Sequence, residues 1–438
     1  MTSFTGRIVK VPQRVFLKVA LAAAVVLPLA AFYPVYLTSS LRARPARTSY
    51  VSWGQAPHES VFVSWETESP ASGGVVLYGP SPDQLVAQVP EPAGERTFHH
   101  VDLDGLKANT TYFYEVRVGG EFFSDGRFRT APDPAAPPSP GGFTWLAFSD
   151  TQQKFGPGWH SALASALDGR EDAFAAIVGD FVEDGLKQEW NNFFARAAPY
   201  LDDLPVVPVM GNHDRPRDFD GDGLEETWYF GEYFPQTEDE VQGTNERDVV
   251  PQFFFSFNWS NVHFQVLHFP EVDVDDEGEP GGVSAKDYAR AFTPDHLAWM
   301  EADLAAAQSL DFRVTLFHCP YTGAGFYGPN HVLLDELVPL LQQYNVTLTL
   351  HGHAHHYERG HLENPFNPSA PMTYLVVGTG GGLADVGLRP VDATDVAIAS
   401  PAYVVVRVTA DQMNLTAVDL QGHVLDEFSV PAPGGGST

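Results

Sequence analysis

The sequence is nearly without cysteine: Cys319 stands alone among 438 residues, so no intramolecular disulfide can form. Stability has to come from packing and bound ions. Positive charge is scarce as well. Lysine and arginine number 25 against 56 aspartates and glutamates, a formal charge of -31. A field of that sign repels phosphodiester backbones, so no nucleic-acid binding is expected, and it attracts cations. The acidic surplus is spread along the chain as on a solvated surface. No Gly-x-Ser-x-Gly element occurs, which removes one familiar route to a serine nucleophile. Hydrophobic content of 44% and charged content of 18% fit a folded chain long enough for two domains.

Long apolar runs are absent except for one. Residues 19–37 carry no charge and follow Arg7, Lys10, Arg14 and Lys18, with Arg42, Arg44 and Arg47 behind them. A stretch of ~20 such residues can span a bilayer. Residues 1–47 therefore read as a cytoplasmic stub with a signal-anchor, or as a cleaved signal peptide. The run is long for a signal peptide and no small-x-small cleavage site follows, which favours the anchor. Either reading puts the rest of the chain outside the cytoplasm, in contact with a membrane only through this segment.

Residues 48–132 read as all-β. Short β-branched or aromatic runs (VFVSW at 61–65, GVVLY at 74–78, TYFYEVRV at 111–118) alternate with turn-rich stretches, the pattern of a sandwich. Phe122-Phe123 and residues 127–130 close the series. No cluster of titratable residues stands out, so a spacer or wall is expected. A proline-rich linker at 133–142 marks a domain boundary.

The chemistry lies in residues 143–431. Five apolar runs of strand length each stop at residues able to bind a hard or borderline metal: 143–149 at Asp150 and Gln152, 175–178 at Asp180, 204–210 at Asn212, 313–317 at His318, and 346–350 at His351, His353 and His355. Buried strands read as continuous apolar runs, and open α/β sheets bind ligands beyond their strand ends. Helix-like stretches at 186–200 and 293–308 lie between them. Carboxylates, amides and imidazoles converging on one rim suit a pair of divalent or trivalent cations.

The order Asp150-Thr-Gln152, Gly179-Asp180, Gly211-Asn-His-Asp214, His318, Gly352-His-Ala-His355 resembles the calcineurin-like metallophosphoesterase superfamily. Residues 254–264, 352–359 and 374–381 resemble purple acid phosphatases in particular. Residues 103–114 are similar to late strands of fibronectin type III-like domains, as in the N-terminal domain of those enzymes. The resemblance implies a layered α/β/β/α sandwich preceded by an all-β fibronectin III-like sandwich; the glycine-rich end of the sequence reads separately as a flexible tail at 432–438. It implies one metal on Asp150, Asp180, His355 and Gln152, and another on Asp180, Asn212, His318 and His353, Asp180 bridging. The metals would be iron, manganese or zinc.

The expected reaction is phosphomonoester hydrolysis of a small phosphorylated substrate by a hydroxide held between two cations. His213 would stabilise or protonate the leaving oxygen, and Asp214 would orient its ring. A phosphodiesterase or nucleotide hydrolase is the alternative; a surface binding protein with an inactive domain is a third reading. Tyr327 and His356 are candidate substrate contacts. Asp218, Asp220 and Asp222 have the spacing of a calcium loop, but Tyr229 stands where an EF-hand needs glutamate. The sequence departs from purple acid phosphatases in one telling place: Glu183 occupies the position of the tyrosine whose phenolate on ferric iron gives them colour.

Overall fold

The computed structural model describes residues 48–136, 138, 141–152, 173–214, 227–235, 243–245, 248–252, 254–268, 292, 294–325, 328–378, 380–381 and 384–433. The apolar N-terminal run, the triad Asp218, Asp220 and Asp222, and Tyr327 lie outside these residues. Among the described residues no helix is long and apolar enough to cross a membrane.

The N-terminal part is a sandwich. One sheet has the order β1-β2-β5, with β1 Ser49–Ser52, β2 Val61–Ala71 and β5 Arg96–Leu103. The other runs β4-β3-β6-β7, with β3 Gly74–Gly79, β4 Ala87–Pro90, β6 Thr111–Val118 and β7 Glu121–Arg129. Period-two patterning sends Val61, Val63 and Trp65 of one sheet and Val76, Tyr114 and Val116 of the other into a shared core. Phe122-Phe123 and residues 127–130, which read as separate closing runs, belong to one continuous strand. Gly126 sits inside it because a Cβ there would lie 2.1 Å from the Asp202 carbonyl oxygen. This glycine marks a close backbone approach rather than a turn.

The second part stacks two sheets. The first has the order β10-β9-β8-β20-β21-β22, with β8 Phe143–Phe148, β9 Ala175–Val178, β10 Val206–Val209, β20 Ala402–Val408, β21 Gln412–Asp419 and β22 Val424–Pro431. The second runs β13-β14-β15-β16-β18-β17-β19. Its strands are β13 Phe254–Trp259, β14 Val262–Leu267, β15 Phe312–Leu316, β16 Leu348–His351, β17 Tyr357–Leu362, β18 Met372–Val377 and β19 Thr394–Ile398. A separate two-stranded ribbon, β11 Gly243–Asn245 and β12 Asp248–Gln252, stands between β10 and β13 in the chain.

Trp145, Val178 and Val207 of the first sheet meet Phe264, Leu316 and Leu350 of the second in the central core. Outside the first sheet lie helices α1 (Lys187–Leu201) and α2 (Tyr229–Tyr233), packed on Leu146, Phe148 and Ile177. Outside the second lie α3 (Pro294–Ala306) and α4 (Val338–Gln343), packed on Phe254, Leu267 and Phe317. The result is the layered α/β/β/α sandwich. Strands β8, β9 and β10 are mutually parallel, as are β14, β15, β16 and β18, so their C-terminal ends reach the same rim.

The sandwich closes the edge strand β10 from the side. Trp53 inserts among Phe174, Phe257 and Trp259, with ring centroids 5.6, 6.0 and 5.1 Å away. The two parts therefore share one continuous apolar core.

Candidate metal centre

Three of the strands that reach the rim, β8, β9 and β16, are followed by a sharp departure from extended backbone. Asp150, Asp180 and His353 adopt positive φ of 52°, 55° and 66°. That left-handed region costs L-residues on the order of 1–3 kcal/mol each and persists where surroundings impose it, commonly at functional sites. Three of the expected ligands carry it.

The glycines of the motifs explain how the loops come so close. A Cβ on Gly211 would lie 2.1 Å from Asp180 Oδ1, and one on Gly352 would lie 1.8 Å from Ser149 Oγ and 2.6 Å from Asp150 Oδ2. Only hydrogen fits at either place.

The seven expected ligands form one connected cluster. Asp150, Asp180 and His318 each present a ligand atom within 4.8 Å of the others. His318 Nε2 lies 3.3 Å from Asp180 Oδ2 and 3.2 Å from Asn212 Oδ1. His353 Nδ1 is 3.2 Å from the same Asn212 oxygen, and its backbone N–H donates to both Asp150 carboxylate oxygens. His355 Nε2 lies 3.2 Å from Asp150 Oδ1. His318 Nδ1–H donates to the Val178 carbonyl at 2.7 Å, which fixes the tautomer and leaves Nε2 facing the carboxylates.

Electrostatics at the rim call for positive charge. Burial alone would lower the His318 pKa, but Asp180 and Asp150 outweigh it and push it up to about 10. His355 is likewise lowered by burial and raised more by Asp150, up to about 9. Burial would raise Asp180, but His318 and His213 hold it well below the usual carboxylate range. Gln152 donates weakly from Nε2 to Asp180 Oδ2 at 3.4 Å, while its Oε1 is buried with no hydrogen-bond partner among the described residues. An unsatisfied buried amide oxygen among carboxylates and imidazoles is what a cation-binding site presents before loading. The residues present fit the metal pair.

Two expectations need correcting. Asp214 does not orient the His213 ring. Its carboxylate accepts the backbone N–H groups of Asp180 and Gly211 on Oδ2, and of Phe181 and Val182 on Oδ1. It ties the Gly179-Asp180 and Gly211-Asn212 loops together. The ring partner is the Glu183 carbonyl, which accepts from His213 Nδ1 and leaves Nε2 4.0 Å from Asp180 Oδ2.

His356 is no substrate contact either. It is wholly buried, with Nε2 on Glu358 Oε2 at 2.8 Å. Glu358 also accepts from Ala324 N, Tyr374 Oη and Thr394 Oγ1, so it braces the segment after His318 against the one after His355.

The sequence reading missed three contributors. The Glu183 carbonyl left no signal because any residue supplies a carbonyl. Asp385, which accepts the His355 backbone N–H at 3.0 Å, is one acidic residue among many. Glu358 lay within a motif already in view, two residues after His356.

Residues 143–357 match the calcineurin-like phosphoesterase family, and residues 47–130 match the purple acid phosphatase N-terminal domain. Purple acid phosphatase 22 of Arabidopsis thaliana is 25% identical over 353 residues, covering 74% of this chain and 70% of the relative. An uncharacterized protein of Mycobacterium tuberculosis (strain H37Rv), Rv2577, is 25% identical over 355 residues, covering 73% of this chain and 63% of its own length.

Among solved structures, purple acid phosphatase PPD1 from yellow lupin (Lupinus luteus) seeds superposes with a TM-score of 0.66 at 18% identity. The superposition covers 88% of this chain and 74% of that one. A structure of PhoD gives 0.65 at 14% identity, covering 88% and 93%. These two likenesses concern the fold. The chain joins a calcineurin-like metallophosphoesterase domain to a purple acid phosphatase N-terminal domain and has purple acid phosphatases as homologues, which indicates a phosphoester hydrolase.

Proposed function

We propose that the protein is a dinuclear phosphomonoesterase working outside the cytoplasm, held to a membrane by its N-terminal segment. The observation that carries the reading is the cluster of Asp150, Gln152, Asp180, Asn212, His318, His353 and His355 on five strand ends, with the Gln152 oxygen unsatisfied. Monoesters are favoured because one of the relatives, purple acid phosphatase 22 of Arabidopsis thaliana, is an acid phosphatase by name. The basic flanks and uncharged run of residues 19–37 support the location.

Asp150, Gln152 and His355 would hold one ion, and Asn212, His318 and His353 the other, with Asp180 shared between them. The pair, when bound, supplies an activated water and neutralises charge on the phosphoryl oxygens. The chain's own residues do the rest. His213 stands half-buried beside this cluster, its Nδ1–H committed to the Glu183 carbonyl. Its Nε2 is then the nitrogen that delivers a proton to the leaving oxygen. Asp214 keeps the two loops carrying Asp180 and Asn212 in register. Glu183 in place of a tyrosine offers no phenolate, so the loaded enzyme is expected to be colourless.

The test is metal content of the full chain measured beside hydrolysis of p-nitrophenyl phosphate and of its bis-ester. About two ions per chain with monoester turnover, lost in His213→Ala, is the expected result. Turnover of the bis-ester alone would replace the monoesterase reading with a diesterase one. An ion-free, inactive protein after reconstitution would overturn the enzyme.

A further inference from the structure

The N-terminal sandwich is tied to the helix that follows the Asp180 loop by a part-buried ion pair. Glu66, on β2, is almost fully buried and lies 2.6 Å from Lys187 Nζ, at the first residue of α1. Lys187 spends its other two protons on Asn191 Oδ1 at 2.6 Å and Tyr233 Oη at 2.7 Å. The Tyr233 hydroxyl donates in turn to Glu66 Oε2 at 2.6 Å. The ammonium sits among the rings of Phe98, Tyr229 and Tyr233, at 5.3, 5.7 and 5.2 Å from their centroids.

A pair with its carboxylate buried, its ammonium part-buried and both ends hydrogen-bonded gains little net stability over an apolar substitute. It does fix geometry. Two more sandwich residues hold the same helix α2: Tyr50 Oη donates to the Tyr233 carbonyl, and His100 Nε2 meets the Glu232 carbonyl at 2.9 Å.

From Lys187 the path to the rim is short. Residues 181–186 run from Asp180 to the start of α1. Glu189, on the first turn of α1, accepts the backbone N–H groups of Asp184 and Leu186. Phe181 packs on Trp190 and Phe193 of α1 and on Phe230 of α2. This loop carries the Glu183 carbonyl that holds His213.

We propose that Glu66 and Lys187 form a strut by which the N-terminal domain positions the His213 ring, making both positioning residues of the reaction. The sandwich is then part of the catalytic apparatus rather than a spacer. The inference rests on the role of His213 proposed above.

A double-mutant cycle on the full, metal-loaded chain tests it, reading kcat and KM for p-nitrophenyl phosphate in wild type, Glu66→Gln, His213→Ala and the double variant. Glu66→Gln is expected to keep metal content and KM while lowering kcat about tenfold or more, since small misplacements of a reacting group cost that much. In the His213→Ala background the same change is expected to lower kcat less than about twofold, because the ring it positions is gone. The pair Glu66→Leu with Lys187→Met, which strands no charge, should reproduce the loss if Glu66→Gln folds poorly.

Equal loss in both backgrounds would overturn the strut and leave a general structural effect. So would unchanged kcat in folded, loaded Glu66→Gln. Full activity of His213→Ala would overturn the proton-donor role and the strut with it. Wild type lacking turnover after reconstitution would overturn both at the level of the enzyme.

Discussion

Two histidine–carboxylate pairs, one in each part of the molecule, look alike in a list of contacts and differ in everything around them. In the sandwich, His99 Nδ1 meets Glu91 Oε2 at 2.7 Å. His99 Nε2 meets Thr67 Oγ1, the ring stacks on Trp65, and the second Glu91 oxygen accepts the Gly74 N–H. Each polar atom of the His99 and Glu91 side chains has a partner, and neither residue is in left-handed backbone. At the rim, His355 meets Asp150 at 3.2 Å, Asp150 is in left-handed backbone, and the neighbouring Gln152 oxygen is buried and unmatched. A closed network stabilises the fold around it. An open, strained one is held in place by the fold and waits for a ligand.

The largest effect that separates the two pairs should come from Asp180→Asn. Loss of the shared carboxylate is expected to abolish metal retention and to cut turnover on the order of 10³-fold. Comparable activity in this variant would remove the rim from the chemistry.

Glu91→Gln should do the reverse. It is expected to cost about 2–4 kcal/mol in urea unfolding, with kcat per folded molecule unchanged, because a buried partner is lost far from substrate. A drop in kcat without a drop in stability would blur the distinction.

Gly211→Ala should weaken metal binding about 10- to 100-fold in a chelator competition by forcing a methyl against Asp180. Unaltered affinity would mean the loop yields easily.

The smallest effect concerns a third histidine, His268, beneath the rim. Burial lowers its pKa to about 3, and its Nδ1 accepts the Met210 N–H, so the folded ring is neutral. The unfolded ring takes up a proton near pH 6.5, so between there and pH 3 the unfolded chain binds one proton more. Stability from this group is full above that window and falls as the pH drops through it, by about 2 kcal/mol from pH 6.5 to 5. A His268→Gln variant should lose correspondingly less between pH 7 and 5 in denaturant midpoints.

How much of this was legible depends on what a side chain has to announce. The strands ending at Asp150, Asp180, Asn212, His318 and His353 were readable because each combines an apolar run with a metal-binding type at a fixed end. The layered fold followed from that repetition. Asp214 was misassigned because adjacency to His213 suggested a side-chain pair. In the 3₁₀ turn at Asn212–Asp214 it turns instead towards the amides of the neighbouring loop. The role of Gly126 was hidden because no sequence shows which backbone will pass over it. The contact between Glu66 and Lys187 joins residues far apart in the chain, where neither periodicity nor spacing speaks. Carbonyl partners such as that of Glu183 are invisible in principle.

One pairing bears on how the protein is made. Strand β8, which carries Asp150, lies between β9 and β20, and Val404 to Val408 of β20 pair with Phe143 to Ala147. More than half of the chain separates those partners. A growing or translocating polypeptide therefore emits its early metal-binding residues long before their sheet can close. Non-local contacts of this span are slow to form and expose apolar edges while they wait. Ion loading belongs after chain completion, and a product truncated ahead of Ala402 would leave β8 without the neighbour on which its position depends.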